Sequence, residues 1–142
     1  MKKISVILLL SFIVSTVSAQ DSAAVMRATL DYIEGFYEGD TVKLERSLKP
    51  SLYKFGFWKD KNTGAFGKPI AMSYPQALYF ARRLLKNKNF PKDDAPKKTQ
   101  LLDMGNIIAV TKVTAWWGVD YLLLSKQNGK WMIESVIWEG PL

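Results

Sequence analysis

The residue in this chain best placed to do chemistry is Asp120. It stands in Trp116-Trp117-Gly118-Val119-Asp120-Tyr121, among apolar residues that alternate as they do along a half-buried strand. On the apolar side of a strand a carboxylate costs several kcal/mol of desolvation unless it is paired or protonated. Two roles fit that position. Asp120 is either a polar group in a ligand pocket or an acid near a strand end that accepts backbone or tyrosine hydrogen bonds. Tyr32 and Tyr37, from a helix earlier in the chain, are the phenols that could join it. An acid and a phenol in one apolar pocket could move a proton, with Asp120 as base or proton donor and Tyr32 or Tyr37 polarising a carbonyl. The chain has no histidine and no cysteine. That removes most zinc, copper and haem sites and the common Ser-His and Cys-His nucleophile pairs. No metal or cofactor is expected.

The face that Asp120 occupies follows from a turn. Asn128-Gly129 suits a two-residue type I′ turn because both residues tolerate positive φ. Counting back from a Gln127–Lys130 pair puts Asp120, Leu122 and Leu124 on one face, opposite Ile137, Ser135 and Ile133, with Lys126 beside Trp131. The other face carries Val119, Tyr121, Leu123 and Ser125 opposite Trp138, Val136, Glu134 and Met132. The first face is the more continuously apolar and is read as inner. A tight turn at Trp117-Gly118 would add Ala115, Val113, Thr111, Ala109 and Ile107 to it. The outer set Tyr121, Leu123, Val136 and Trp138 then forms an apolar patch suited to self-association, or to a loop lying across it.

Upstream, Asp21 or Ser22 can cap a helix with Val25, Ala28, Thr29, Tyr32, Ile33, Phe36 and Tyr37 on one face, ended by Gly39. Asp40 caps a shorter helix carrying Val42, Leu44 and Leu48, stopped by Pro50. Leu52 to Trp58 alternates as a strand, with Tyr53, Phe55 and Phe57 on one side and Lys54 and Gly56 on the other. A second, Gly-broken strand lies around Ala65 to Met72. Ser73 and Gln76 form a capping box for a third helix, with Pro75 in its first turn. Four strand-like runs close the chain: Thr99 to Met104, Ile107 to Trp116, Val119 to Gln127 and Lys130 to Glu139. Helices first and strands last indicate an α+β domain whose curved antiparallel sheet wraps against helices. Tyr32, Phe36, Tyr37, Phe55, Trp58, Asp120 and Trp131 are the candidate pocket residues, though aromatics so spaced also serve as plain core.

Residues 1–19 are of a different kind. Lys2 and Lys3, the apolar run Ile4 to Val14 and the small-residue Val17-Ser18-Ala19 make a secretory signal, with cleavage expected near Ala19-Gln20 and residues 20–142 left as a single exported domain, periplasmic or secreted. The run is too short for a membrane span, and no later stretch could make one. Formal net charge is +7, and much of the excess beyond Lys2 and Lys3 sits in Arg82, Arg83, Lys86, Lys88, Lys92, Lys97 and Lys98. Export and the lack of interleaved aromatics argue against a nucleic-acid partner and for a solvated helix end and loop.

Tyr32-Ile33-Glu34-Gly35-Phe36-Tyr37-Glu38-Gly39-Asp40 and Leu44 to Pro50 resemble the opening of the putative lumazine-binding family, within the nuclear-transport-factor-2-like superfamily. Asp120 to Leu124, Asn128 to Ile133 and Val136-Ile137-Trp138 resemble its close. The resemblance covers almost all of residues 20–142. It implies a cone-shaped (cystatin-like) α+β domain, with three helices from the N-terminal half packed on a curved mixed or antiparallel sheet around an apolar pocket. It also implies a homodimer formed through the outer sheet face. Where that family often has His-Pro this chain has Lys49-Pro50, so no imidazole is available for catalysis. The expected function is non-catalytic binding of a small hydrophobic or aromatic molecule. A cofactor-free isomerase or dehydratase is the alternative, since cone folds such as ketosteroid isomerase work with an acid and a tyrosine. A protein-interaction module acting through the outer face is a third reading.

Overall fold

Asp40 shows how local sequence sets this fold. Gly39, at φ +69°, ends the long first helix, and the Asp40 carboxylate then accepts from the backbone N–H groups of Val42 and Lys43 at 2.8 and 3.2 Å, which starts the second. In this computed structural model residues 2–141 are described, with side chains from residue 19 onward. The elements in chain order are α1 (Lys2–Glu38), α2 (Thr41–Ser47), β1 (Leu48–Trp58), β2 (Ile70–Met72), α3 (Tyr74–Asn87), β3 (Lys98–Met104), β4 (Ile108–Ala115), β5 (Gly118–Gln127) and β6 (Lys130–Gly140). Apart from its last residue, the expected signal segment lies outside the residues with described side chains. Among the described residues no helix is long and apolar enough to cross a membrane.

The six strands form one mixed sheet in the order β2-β1-β6-β5-β4-β3. β1 runs parallel to β6, and the other neighbours are antiparallel. The helices cover one face, and the core lies between that face and the α1 stripe Val25, Ala28, Tyr32, Ile33 and Phe36. The larger of these, Val25, Ile33 and Phe36, each contribute roughly 1.5–3 kcal/mol by leaving water. Thr29 and Thr111, both fully buried, satisfy each other across the α1–β4 contact at 3.0 Å.

The start expected for the first helix is corrected. Asp21 lies inside α1, and its carboxylate is used across the fold, accepting from Lys126 Nζ at 2.7 Å and Trp131 Nε1 at 3.1 Å.

The hairpin register is half right. Asn128 and Gly129 have φ of +52° and +76°, and Gln127 pairs with Lys130. The count holds as far as Leu124–Ile133, after which a bulge inserts Glu134, so that Leu123 faces Ser135 and Asp120 faces Trp138. Polar partners hold the extra residue: Ser125 Oγ donates to Glu134, and Lys49 Nζ pairs with it at 2.8 Å. On β5 the expected faces stand. On β6 beyond the bulge they invert. Val136 and Trp138, expected on the outer patch, share the inner side; Val136 is fully buried and Ile137 is exposed in their place. The β4–β5 turn sits at Trp116-Trp117, not Trp117-Gly118, because Ala115 pairs with Gly118. That moves the pairing by two residues, an even step, so Ala109, Thr111, Val113 and Ala115 remain inside. Ile107 precedes β4 and is exposed.

Candidate functional site

Asp120 is fully buried, and the fold surrounds it with donors from three elements. The Tyr32 hydroxyl, from α1, donates to its Oδ2. Lys54 Nζ, from the inner side of β1, reaches the same oxygen at 3.3 Å and the Tyr32 oxygen at 2.5 Å. Trp117 Nε1, from the turn before β5, donates to Oδ1 at 2.6 Å. Both carboxylate oxygens are therefore engaged.

Lys54 is the residue that sequence reasoning missed. Its parity along β1 was read correctly, but the aromatic side of that strand was assigned to the pocket. The reverse holds: Lys54 and Gly56 face the helices, while Phe55 lies on the opposite side between Tyr53 and Phe57, tilted to the first ring at 5.3 Å and edge-to-face with the second at 6.1 Å. A buried acid on β5 needs a cation, and Lys54 is the one that alternation sends inward from β1. That demand was the available signal.

Lys54 Nζ also lies 5.2–5.8 Å from the ring centres of Tyr32, Phe36 and Trp138. Burial pushes the pKa of its ammonium below the ordinary lysine value despite the pull of Asp120. For Tyr32, burial first and then the charge and hydrogen bond of Asp120 raise the phenol well above its usual pKa. The cluster is a neutral pair held by a phenol that stays protonated.

Lys54 lines a cavity of about 230 Å³ together with Phe36, Phe80, Trp116, Trp117 and Trp138, and with Trp58, Ile70 and Met72. Trp138 packs flat against Gly56, where an added Cβ would come within 2.2 Å of its ring. The Trp138 Nε1 is buried and has no hydrogen-bond partner among the described residues. Of the three N–H groups on Lys54, two have acceptors among the described residues and the third faces rings.

Of the expected pocket residues, Phe36 and Trp58 line this cavity, while Tyr32 and Asp120 sit beneath it as partners of Lys54. Three do not. Phe55 is on the other sheet face. Trp131 is core at the far end of the hairpin, tied to Asp21. Tyr37 points toward the chain between α3 and β3, donating to the Pro96 carbonyl and accepting from the Trp116 N–H at 3.0 Å. Among the described residues no group of three or more His, Cys, Asp or Glu could hold a metal ion.

Three helices on a mixed six-stranded sheet, with a polar cluster beside an aromatic cavity on the helix-covered face, define a nuclear-transport-factor-2-like α+β cone. Within that class the chain belongs to the family described as Putative lumazine-binding, which matches residues 20–139. Solved structures agree on the fold. An NTF-2-like protein of unknown function from Silicibacter pomeroyi DSS-3 is 16% identical, with a TM-score of 0.63 over 85% of this chain and 96% of that one. Another, from Shewanella baltica OS155, is 19% identical, with a TM-score of 0.61 over 87% and 97%. A type 2 hexachlorocyclohexane dehydrochlorinase is 11% identical, with a TM-score of 0.52 over 85% of each chain. No functionally curated protein matches the chain.

Proposed function

We propose that this protein is a non-catalytic binding domain for a small, flat molecule with a hydrogen-bond-accepting edge. One observation carries the reading: a cavity of about 230 Å³ lined by Phe36, Phe80, Trp116, Trp117 and Trp138, the last keeping a buried indole N–H with no partner among the described residues. A buried donor left unsatisfied costs roughly 1–3 kcal/mol, which an acceptor on a ligand would recover. The rings supply contact area, as in most small-molecule sites. A binding role is favoured over acid–base catalysis because both Asp120 oxygens are already engaged and the cavity reaches Lys54 instead. Tryptophan fluorescence across a panel of heteroaromatic compounds, lumazine included, tests this. Saturable quenching is expected, weakened in Trp138→Phe, which keeps a ring and loses the donor. No saturable response from any compound would overturn it.

Export and dimerisation belong to the same reading. The family match begins at residue 20, where signal cleavage is expected, so intact-mass analysis of material from the producing cell should find a chain starting at Gln20. The outer sheet face exposes Tyr121, Leu123, Ile137, Tyr53 and Ile108, an apolar patch fit for a second copy. Sedimentation should show a dimer that Tyr121→Lys with Ile137→Lys dissociates. A wild-type monomer at all concentrations would refute it.

A further inference from the structure

The cavity has a neighbour. A groove of about 660 Å³ runs between the end of α3 and the segment leading into β3, and Phe80 and Trp116 line both spaces. The inner space is nearly all apolar in its lining. The outer one adds Arg83, Lys92 and Phe90, with Asp94 as its one carboxylate. Neither Arg83 nor Lys92 pairs with a carboxylate among the described residues; the Arg83 guanidinium lies over the Tyr79 ring instead, at 5.9 Å. Arg82, Lys86 and Lys88 add positive charge along the same stretch, and no acid occurs between residues 82 and 92.

The groove has a fixed back wall. Tyr37 holds both sides of it, through the Pro96 carbonyl and the Trp116 N–H. Lys97 ties the same segment to Glu34 at 3.6 Å and Glu38 at 4.0 Å. Those bonds use Lys97 for anchoring and leave Arg83 and Lys92 as the cations facing the groove.

We propose that the cavity and the groove form one extended site for an amphiphile, whose flat apolar head enters the cavity and whose anionic tail lies over Phe80 and Trp116 against Arg83 and Lys92. This rests on the binding function proposed above and adds the ligand's second half. The charge belongs outside: the Lys54–Asp120 pair is already neutral, so an anion in the cavity would be buried without a counter-charge. At the groove the same anion stays partly hydrated and meets two cations that pair with no carboxylate among the described residues. The basic stretch of the sequence then has a use beyond solubility.

A matched pair of probes, naphthylbutanoate and naphthylbutanol, separates head from tail. By titration calorimetry in low salt (about 50 mM), the carboxylate should bind roughly 3- to 10-fold more tightly than the alcohol, in keeping with two exposed ion pairs. In Arg83→Ala with Lys92→Ala that advantage should vanish while alcohol affinity is unchanged, which also shows that the variant is folded. Salt near 0.5 M should shrink the advantage in the wild type, since screening then acts within a few ångströms. Equal affinities in the wild type, or an advantage that survives in the double variant, would overturn the extended site and leave the cavity reading standing. If neither probe binds, the extended site falls, while the cavity reading, which asks for an accepting edge that naphthalene lacks, is decided by the heteroaromatic panel.

Discussion

Replacing Lys54 by Met, Asp120 by Asn, and then both, measures how strongly the buried cluster is coupled. Lys54 Nζ stands 3.3 Å from Asp120 Oδ2, and the two side chains are 6% and 0% exposed. At an effective dielectric of about 20, unit charges at that separation attract by about 5 kcal/mol. Removing one partner of such a pair strands the other and costs about 3–5 kcal/mol. Lys54→Met strands the Asp120 charge, cushioned by the Tyr32 hydroxyl and Trp117 Nε1. Asp120→Asn strands the ammonium with the Tyr32 oxygen alone. In the double variant no charge is buried, and the Asn carbonyl still accepts from Trp117 or Tyr32. Its loss should therefore be no greater than that of the worse single variant, which makes the coupling at least as large as the smaller single loss, about 3 kcal/mol or more. Urea unfolding followed by tryptophan fluorescence gives all four stabilities. If the two single losses add to within about 0.5 kcal/mol, the pair is not coupled and Lys54 is not the counter-charge of Asp120.

Three further outcomes are expected. Gly56→Ala puts a Cβ within 2.2 Å of the Trp138 ring, so the indole must leave its place; a loss of about 1–3 kcal/mol in urea and a weaker cavity ligand should appear together. Asp31 is 2% exposed, and although burial alone would raise its carboxyl pKa, hydrogen bonds from Arg46 and Arg27 hold it below the ordinary value. Its contribution is then present above the unfolded carboxyl pKa near pH 4 and lost as pH falls through the lower folded value, so Asp31→Asn should cost about 1–3 kcal/mol at pH 7 and flatten the acid limb of stability against pH. Tyr32 has the opposite sign: above about pH 10 the unfolded phenol ionises while the folded one stays protonated, and stability falls as pH rises. Lys54, depressed in the fold, opposes that slope only up to about pH 10.4, where the unfolded lysine releases its proton, so Tyr32→Phe should reduce the alkaline loss seen beyond it.

The elements of this fold were legible because their signals are local. Gly39 and Asp40 mark one helix end and the next start, Gln76 accepts from the Ser73 N–H at 2.7 Å as a capping box requires, and Asn128-Gly129 closes the hairpin as its residue types demand. Period-two parity was also readable, on β4 and β5 and within β1. The bulge at Glu134 was not, because no local rule forbids an uninterrupted pairing there. What fixes it is tertiary: Lys49 and Ser125 hold the Glu134 carboxylate, and burial favours Val136 and Trp138 on the helix side.

That single inserted residue decides the chemistry of the site. With unbroken pairing Ile137 would face inward opposite Asp120, and the wall beside Lys54 would be aliphatic. With the bulge Trp138 takes that position, laying its ring on Gly56 and putting into the lining of the cavity an indole whose buried N–H has no partner among the described residues. Parity along β1 alone could not show this, because what Lys54 faces depends on the strand beside it. The buried acid gives the same lesson from the other side. Asp120 is the residue that needs an explanation from sequence alone, and tyrosines are the partners expected for it; its demand for a counter-charge, followed through, would have led to the inward lysine of β1. An aromatic-rich strand drew attention to Phe55, yet desolvation makes a buried charge the stronger constraint: an exposed Phe forgoes about 1.5–3 kcal/mol, whereas an unpaired buried carboxylate costs about 3–5 kcal/mol. Ranking inward candidates by the cost of leaving them unsatisfied selects Lys54 over Phe55, and Lys54 is the residue at the floor of the cavity.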